Sequence, residues 1–282
     1  MSRHPRPLAV LAALASAALL ALLPVSAASA APATGWVRVA HLSPDTKQVD
    51  VTLSSLSGGT TLYKLSSVGY GNVSPYIKLP TGTYAIAMVP AGAPAGTTPV
   101  VKASVTVDAG KAETVAAMGL NKDLSTHVFS DDLAAPSSGH ARVNVVQAST
   151  THSTVTVKAG STTAAADQRF ATASSYIDVQ AGTVGVTMSA GSTTKKADVS
   201  LAAGSIHTLF VLDTSSGGLT VSNVLDSSAA AVTPNGAINT GAGGLAGPDA
   251  APLALALGVV AAAGAAAAGT GLLRRRTGGA AA

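Results

Sequence analysis

The stretch Trp36-Val-Arg-Val-Ala-His-Leu-Ser-Pro-Asp-Thr-Lys-Gln-Val-Asp-Val-Thr-Leu53 decides the fold. Val37, Val39 and His41 alternate with Arg38, Ala40 and Leu42, and Val49, Val51 and Leu53 alternate with Asp50 and Thr52. A period of two is the mark of a strand with distinct faces. Between the two runs, Pro44 fixes φ and the Asp45 side chain can accept bonds from nearby backbone N–H groups, so Ser43-Pro44-Asp45 reads as a turn. Outward from this pair, further short runs fall at 60–65, 73–79, 83–89, 100–107, 113–120 and 126–130. Glycine- and proline-bearing separators divide them, and no window shows a helical period capped at both ends. This spacing predicts an all-β antiparallel sandwich of the immunoglobulin-like kind.

The pattern then restarts. Val49-Asp-Val-Thr-Leu53 aligns with Ser153-Thr-Val-Thr-Val157, and Val37-Arg-Val39 with Ala141-Arg-Val143, at an offset of 104. Ser74-Pro-Tyr-Ile-Lys-Leu79 aligns with Ser174-Ser-Tyr-Ile-Asp-Val179 at 100, and Val105–Gly110 with Val199–Gly204 at 94. Ordered matches with shortening loops point to a duplicated domain, because loops tolerate deletion. The expected organisation is therefore two tandem immunoglobulin-like sandwiches, 31–130 and 141–226, joined by a polar linker at 131–140.

The ends carry targeting signals. Arg3, His4 and Arg6 precede an apolar stretch from Leu8 to Leu23, and Ala28-Ser29-Ala30 gives a small-residue cleavage pattern, so 1–30 reads as a signal peptide. Residues 227–250 are rich in Ala, Gly, Ser and Pro and read as a flexible stalk. Leu253 to Leu273 is 21 residues without a charge, followed by Arg274-Arg-Arg276. That is long enough for a transmembrane helix (251–273) whose basic tail, 274–282, stays cytoplasmic. A sorting tail removed on attachment to the wall is the other reading, although no L-P-x-T-G stands before it. The expected location is the outer face of the cell membrane or wall.

Charge and composition exclude several classes. Of seventeen basic residues, five lie in the two ends; 31–250 holds twelve against thirteen acidic ones, a net of −1. No basic stripe exists for nucleic acid. Cysteine is absent, which removes disulfides, thiol catalysis and thiolate metal sites.

His41 and Asp45 are the pair most like a catalytic or metal-ligating set. A structural part is the better reading: one lies in a strand, the other in the turn after it, and the alignment puts Val145 and Ser149 at those places in the second copy. His127, His140, His152 and His207 lack ligand spacing, and Asp131-Asp132 reads as solvated charge. No G-x-S-x-G elbow or phosphate-cradling glycine motif occurs. Tyr63, Tyr70, Tyr76 and Tyr84 cluster in the first domain. Tyr70, between Gly69 and Gly71, is the one expected to be exposed as a contact residue.

The 36–46 segment with Val-Asp-Val after it, and Tyr-Ile-Lys-Leu-Pro-Thr-Gly-Thr-Tyr at 76–84, resembles the bacterial domain-of-unknown-function family 4397. The resemblance is strong for the first domain and confined to the strand pattern in the second. It implies an exported or surface-attached β-domain with no defining enzymatic activity. The candidate surface or turn positions are thus His41, Ser43, Pro44, Asp45 and Tyr70. No catalytic residue, cofactor or metal is expected. The leading reading is a non-catalytic binding or structural module of the envelope, its partner an unidentified envelope protein or polysaccharide. An envelope hydrolase or metal-dependent enzyme using His41 and Asp45 is the alternative, and self-association through sheet edges is a third.

Overall fold

The computed structural model describes residues 33–56, 59–228 and 238–239. The expected signal peptide, the transmembrane segment, the basic tail and nearly all of the stalk lie outside the described residues. Among the described residues, no helix is long and apolar enough to cross a membrane.

The first repeat contains eight strands: β1 (Thr34–Leu42), β2 (Val49–Ser55), β3 (Thr61–Val68), β4 (Ile77–Pro80), β5 (Gly82–Pro90), β6 (Val101–Val107), β7 (Ala112–Met118) and β8 (Ser125–Asp131). The second contains β9 (His140–Gln147), β10 (Thr154–Ala159), β11 (Thr162–Arg169), β12 (Ile177–Gln180), β13 (Gly182–Ala190), β14 (Thr193–Leu201), β15 (Ile206–Asp213) and β16 (Leu219–Ser227). A two-residue strand, β17 (Ile238–Asn239), runs parallel to β4. Each repeat is a two-sheet sandwich. The sheets run β4-β1-β7-β8 against β3-β2-β5-β6, then β12-β9-β15-β16 against β11-β10-β13-β14. Asp131 is thus the end of β8 and His140 the start of β9, which leaves 132–139 as the connection.

The sandwich is as expected, but its strand order is not that of an immunoglobulin domain. There the first two strands share a sheet; here β1 and β2 lie in opposite sheets, and β1 pairs parallel with β7. The Ser43-Pro44-Asp45 turn is a corner between layers, and strand periodicity cannot tell a corner from a hairpin. The 73–79 run is also shorter as a strand than expected. Its first part forms a single bridge from Val73 to Ala40 before β4 begins.

Within each sandwich the alternation places small and medium apolar residues inward. Val37, Val39, Val51, Ile86, Met88 and Val115 meet in the first core, and Val143, Val157, Val186, Met188 and Val211 in the second. The other faces of β1, β7, β9 and β15 are also buried. Ala40, Leu42, Ala116, Met118 and Phe129 pack against Val146, Ala148, Phe210 and Leu212 of the second repeat. Strands covered on both faces lose the inside-outside contrast and read as nearly continuous apolar runs. Ala116-Ala-Met118 and Leu209-Phe-Val-Leu212 are such runs. The two sandwiches therefore dock sheet to sheet and belong to one compact unit.

Structural equivalence corrects the repeat alignment at its start. Ser74 Oγ accepts from Val39 N–H, and Ser174 Oγ from Val145 N–H, at 2.9 and 3.0 Å. The bridges Ala40–Val73 and Val146–Ala173 correspond in the same way. Val39 is thus equivalent to Val145, an offset of 106 rather than 104, while the later offsets of 100 and 94 stand. A slip of two residues keeps every side chain on its face, so the period alone cannot detect it.

Candidate functional site

The corner between β1 and β2 is held by its own polar groups. The His41 ring is only 1% exposed. Its Nδ1 accepts from Ser43 N–H at 3.4 Å, and its Nε2 lies 3.2 Å from the Lys47 carbonyl. Those partners require the neutral tautomer with hydrogen on Nε2. Ser43 Oγ lies 3.3 Å from Asp45 Oδ1 and 2.7 Å from Thr46 Oγ1. Asp45 Oδ1 also accepts from Asn121 N–H at 2.7 Å, tying the corner to the short 3-10 turn between β7 and β8. His41 and Asp45 are each bonded to Ser43 rather than to one another.

In the corrected register Gln147, not Val145, stands where His41 does, and Thr151 where Asp45 does. Gln147 makes the equivalent pair of bonds. Its Oε1 accepts from Ser149 N–H at 2.5 Å, and its Nε2 donates to the His152 carbonyl at 2.6 Å. The carboxylate comes from elsewhere in the fold. Asp213, at the end of β15, accepts from Ser149 Oγ, from Thr150 N–H at 2.7 Å and from Thr151 Oγ1 at 2.6 Å. Burial alone would raise the pKa of Asp213, but these donors hold it below the usual carboxylate range. Two different residue sets thus build the same corner.

Beside the first corner is a pocket of about 280 Å³ lined by Asp45, Thr46, Lys47, Gln48, Asn121 and the apolar trio Val49, Pro90 and Val100. Pro90 belongs to the segment that the second repeat shortens. Val100 is 45% exposed, an apolar surface without cover among polar neighbours. Among the described residues, no three His, Cys, Asp or Glu side chains gather as a metal site would need.

Tyr70 is not the exposed contact residue expected from its flanking glycines. It is half-buried in the joint between the repeats, where its hydroxyl accepts from Asp213 N–H at 2.8 Å and lies 3.2 Å from the Asp213 carbonyl. Burial pushes its phenol up to about 12. Gly71 has φ +80°, and a Cβ there would lie 3.3 Å from Leu212 Cδ1. The glycine serves close approach of the second repeat, not exposure.

A buried ion cluster stands where the sequence led us to expect solvated charge at Asp131 and no site at Arg38. Arg38, on the docking face of β1, is buried between the repeats. Its Nη1 donates to Asp226 Oδ1 at 2.5 Å, its Nε to Thr114 Oγ1 at 2.7 Å and its Nη2 to Thr208 Oγ1 at 3.1 Å. Its guanidinium carbon stands 4.6 Å from the Tyr76 ring centre. Asp131 lies 3.7 Å from Nη2, and its Oδ2 accepts from Tyr76 OH and Thr114 Oγ1 at 2.7 and 2.6 Å. Burial pushes the Asp131 carboxyl up to about 6, against the pull of Arg38. Thr114–Asp131 in one repeat mirrors Thr208–Asp226 in the other, and Asn144 occupies the place of Arg38. The joint is thus near-symmetric in its acids and asymmetric in its base. The paired charges come from strands 188 residues apart, a separation that leaves no local signal.

Residues 35–158 and 141–240 both match the family described as "Domain of unknown function (DUF4397)". The chain is a tandem β-sandwich protein, and it belongs to that family. No curated protein is matched by the sequence. Among solved structures, the C-terminal domain of AlgF from P. aeruginosa is similar at 24% identity over 31% of this chain and 98% of that one, with a TM-score of 0.25. Candidate cell adhesion proteins from Bacteroides uniformis and Bacteroides fragilis each share 10% identity over 68% of this chain, covering 98% and 88% of their own, with TM-scores of 0.20. At these TM-scores the likenesses carry no argument about what the chain does.

Proposed function

We propose that the protein is a non-catalytic binding or structural module of the bacterial envelope, exported and held at the outer face of the membrane or wall. The observation that supports it best is how the Ser43-Pro44-Asp45 corner uses its groups. A general base needs a ring nitrogen free to meet a substrate. Both nitrogens of His41 are engaged with backbone groups inside the corner, and the ring is closed to solvent. The repeat reproduces that corner with glutamine, which supplies a donor and an acceptor but no titratable base.

What remains open is the pocket between the corner and Pro90. Lined by Asp45, Lys47 and the apolar trio, it suits a short polar segment of an envelope polymer or protein. The signal-like start and the uncharged stretch ending in three arginines support export and tethering, with the sandwiches outside.

The deciding experiment is His41→Gln in the full chain. The substitution should leave folding and partner binding near those of the wild type, as Gln147 already fills the equivalent place. An associated hydrolytic activity or metal affinity that falls a hundredfold or more, with unfolding unchanged, would establish the enzyme reading instead.

A further inference from the structure

Two buried carboxylates and one guanidinium meet at the joint between the repeats. If both acids are ionised, the cluster carries a net negative charge on side chains that are almost wholly buried, a costly arrangement. The geometry distinguishes the two acids. Asp226 receives Arg38 Nη1 on one oxygen at 2.5 Å and Thr208 Oγ1 on the other at 2.7 Å. Asp131 has neutral hydroxyl donors on Oδ2, and its Oδ1 faces Arg38 only at 3.7 Å, beyond hydrogen-bond reach. Asp226 is the ion partner of Arg38, and Asp131 is the surplus acid.

We propose that the joint is closed by acid: the docked sandwiches take up one proton on Asp131, and docking weakens when that proton leaves.

The charged and titratable groups around Asp131 come from every element packed on it. Arg38 of β1 favours its ionised form; Asp226 of β16 and Glu113 of β7 oppose that form. Tyr76 donates to it from before β4, and Tyr176, before β12, is itself pushed up by burial and by Asp131. Proton exchange has a route, because Asp131 lines an open pocket of about 290 Å³ together with Lys111, Asp132 and Leu133.

The sign follows from linkage. The docked state raises the affinity of Asp131 for its proton above that of an exposed aspartate. Docking is therefore fully favoured below the exposed value near 4 and weakens as pH rises through about 6. Over those two units the docking equilibrium falls by at most about tenfold per unit, about a hundredfold being the upper bound, because Tyr76, Thr114 and Arg38 of its own repeat also face Asp131. The tightening would act on an envelope module wherever the surroundings acidify, whatever it binds.

Trp36 is the single tryptophan of the chain and packs with Tyr76, Leu133, Ile206 and Tyr176 at the joint, so its emission reports docking. The experiment is a pH titration of the full chain from 4 to 8. It follows the Asp131 carboxyl carbon by NMR and Trp36 emission under mild denaturant, in wild type and Asp131→Asn. The expected result is a carboxyl midpoint between 5 and 7, a matching Trp36 transition, and loss of that transition in the variant. A wild-type midpoint below 4.5, or an Asp131→Asn protein that keeps the wild-type Trp36 response, overturns the proposal. Should the variant not fold, the wild-type carboxyl midpoint decides alone.

Discussion

Replacing Arg38 with methionine keeps much of the aliphatic volume and removes the guanidinium from the centre of the joint. Asp226 then loses its 2.5 Å partner, Thr114 and Thr208 lose a donor each, and the stack on Tyr76 disappears. Breaking a buried ion pair by deleting one partner typically costs about 3–5 kcal/mol, because the other charge stays buried. That figure is the expectation near pH 7.5 for Arg38→Met. Two features of the cluster refine it. At pH 5 the loss should be smaller, since Asp131 already holds a proton and Asp226 can take one. In the double variant Arg38→Met/Asp226→Asn, more than half of the loss should return, because the stranded charge is gone. The assay is denaturant unfolding of the three proteins at both pH values, read by Trp36 emission and far-ultraviolet circular dichroism. A loss below about 1 kcal/mol at pH 7.5 would show that solvent reaches the cluster and screens it as at a surface. A double variant no more stable than Arg38→Met would likewise refute the assignment of Asp226 as the ion partner.

Three further outcomes are expected. Tyr70→Phe leaves the Asp213 N–H without its partner inside the joint and should cost about 1–3 kcal/mol; an unchanged unfolding midpoint would mean water replaces the hydroxyl. His41→Ala strips Ser43 N–H and Lys47 O of their partner and should lower stability by about 1–3 kcal/mol, while His41→Gln stays within about 1 kcal/mol of wild type. If the two substitutions give the same melting curves, the account of His41 as a structural part of the corner fails. Asp213 has a lowered pKa in the fold, so its contribution is present above about pH 4 and is lost as pH falls through the folded value. The stability advantage of wild type over Asp213→Asn should therefore shrink on acidification, whereas wild type should gain on Asp131→Asn as pH falls. An advantage over Asp213→Asn that grows in acid would contradict it.

Much of the fold is legible in the chain because its information is local. Alternation along 36–42, 49–53, 83–89 and 100–107 follows from the pleat, which puts successive side chains on opposite faces. Glycine- and proline-bearing breaks mark the strand ends, and the repeat shows because both copies keep these features. Ser43-Pro44-Asp45 is legible as a turn for the same reason, since its bonds lie mostly within six residues of His41, although its crossing from one sheet to the other is not. The contribution of Asn121, 76 positions after Asp45, is not.

What the tertiary structure alone decided is everything that depends on which surfaces meet. A two-residue slip preserves the inside-outside pattern, so the equivalence of His41 with Gln147 needed the Ser74 and Ser174 bonds. Strand order is free of the local period, and the expected immunoglobulin-like order gave way to one with β1 and β2 in opposite sheets. Tyr70 between two glycines has the local look of an exposed tip, yet Leu212 and Asp213 cover it. Arg38 looks like an outward-facing charge on an alternating strand until the second sandwich brings Asp226 to it. Sequence determines which face of a strand each residue occupies; only packing determines what that face touches, because the partner surface is supplied by residues far along the chain.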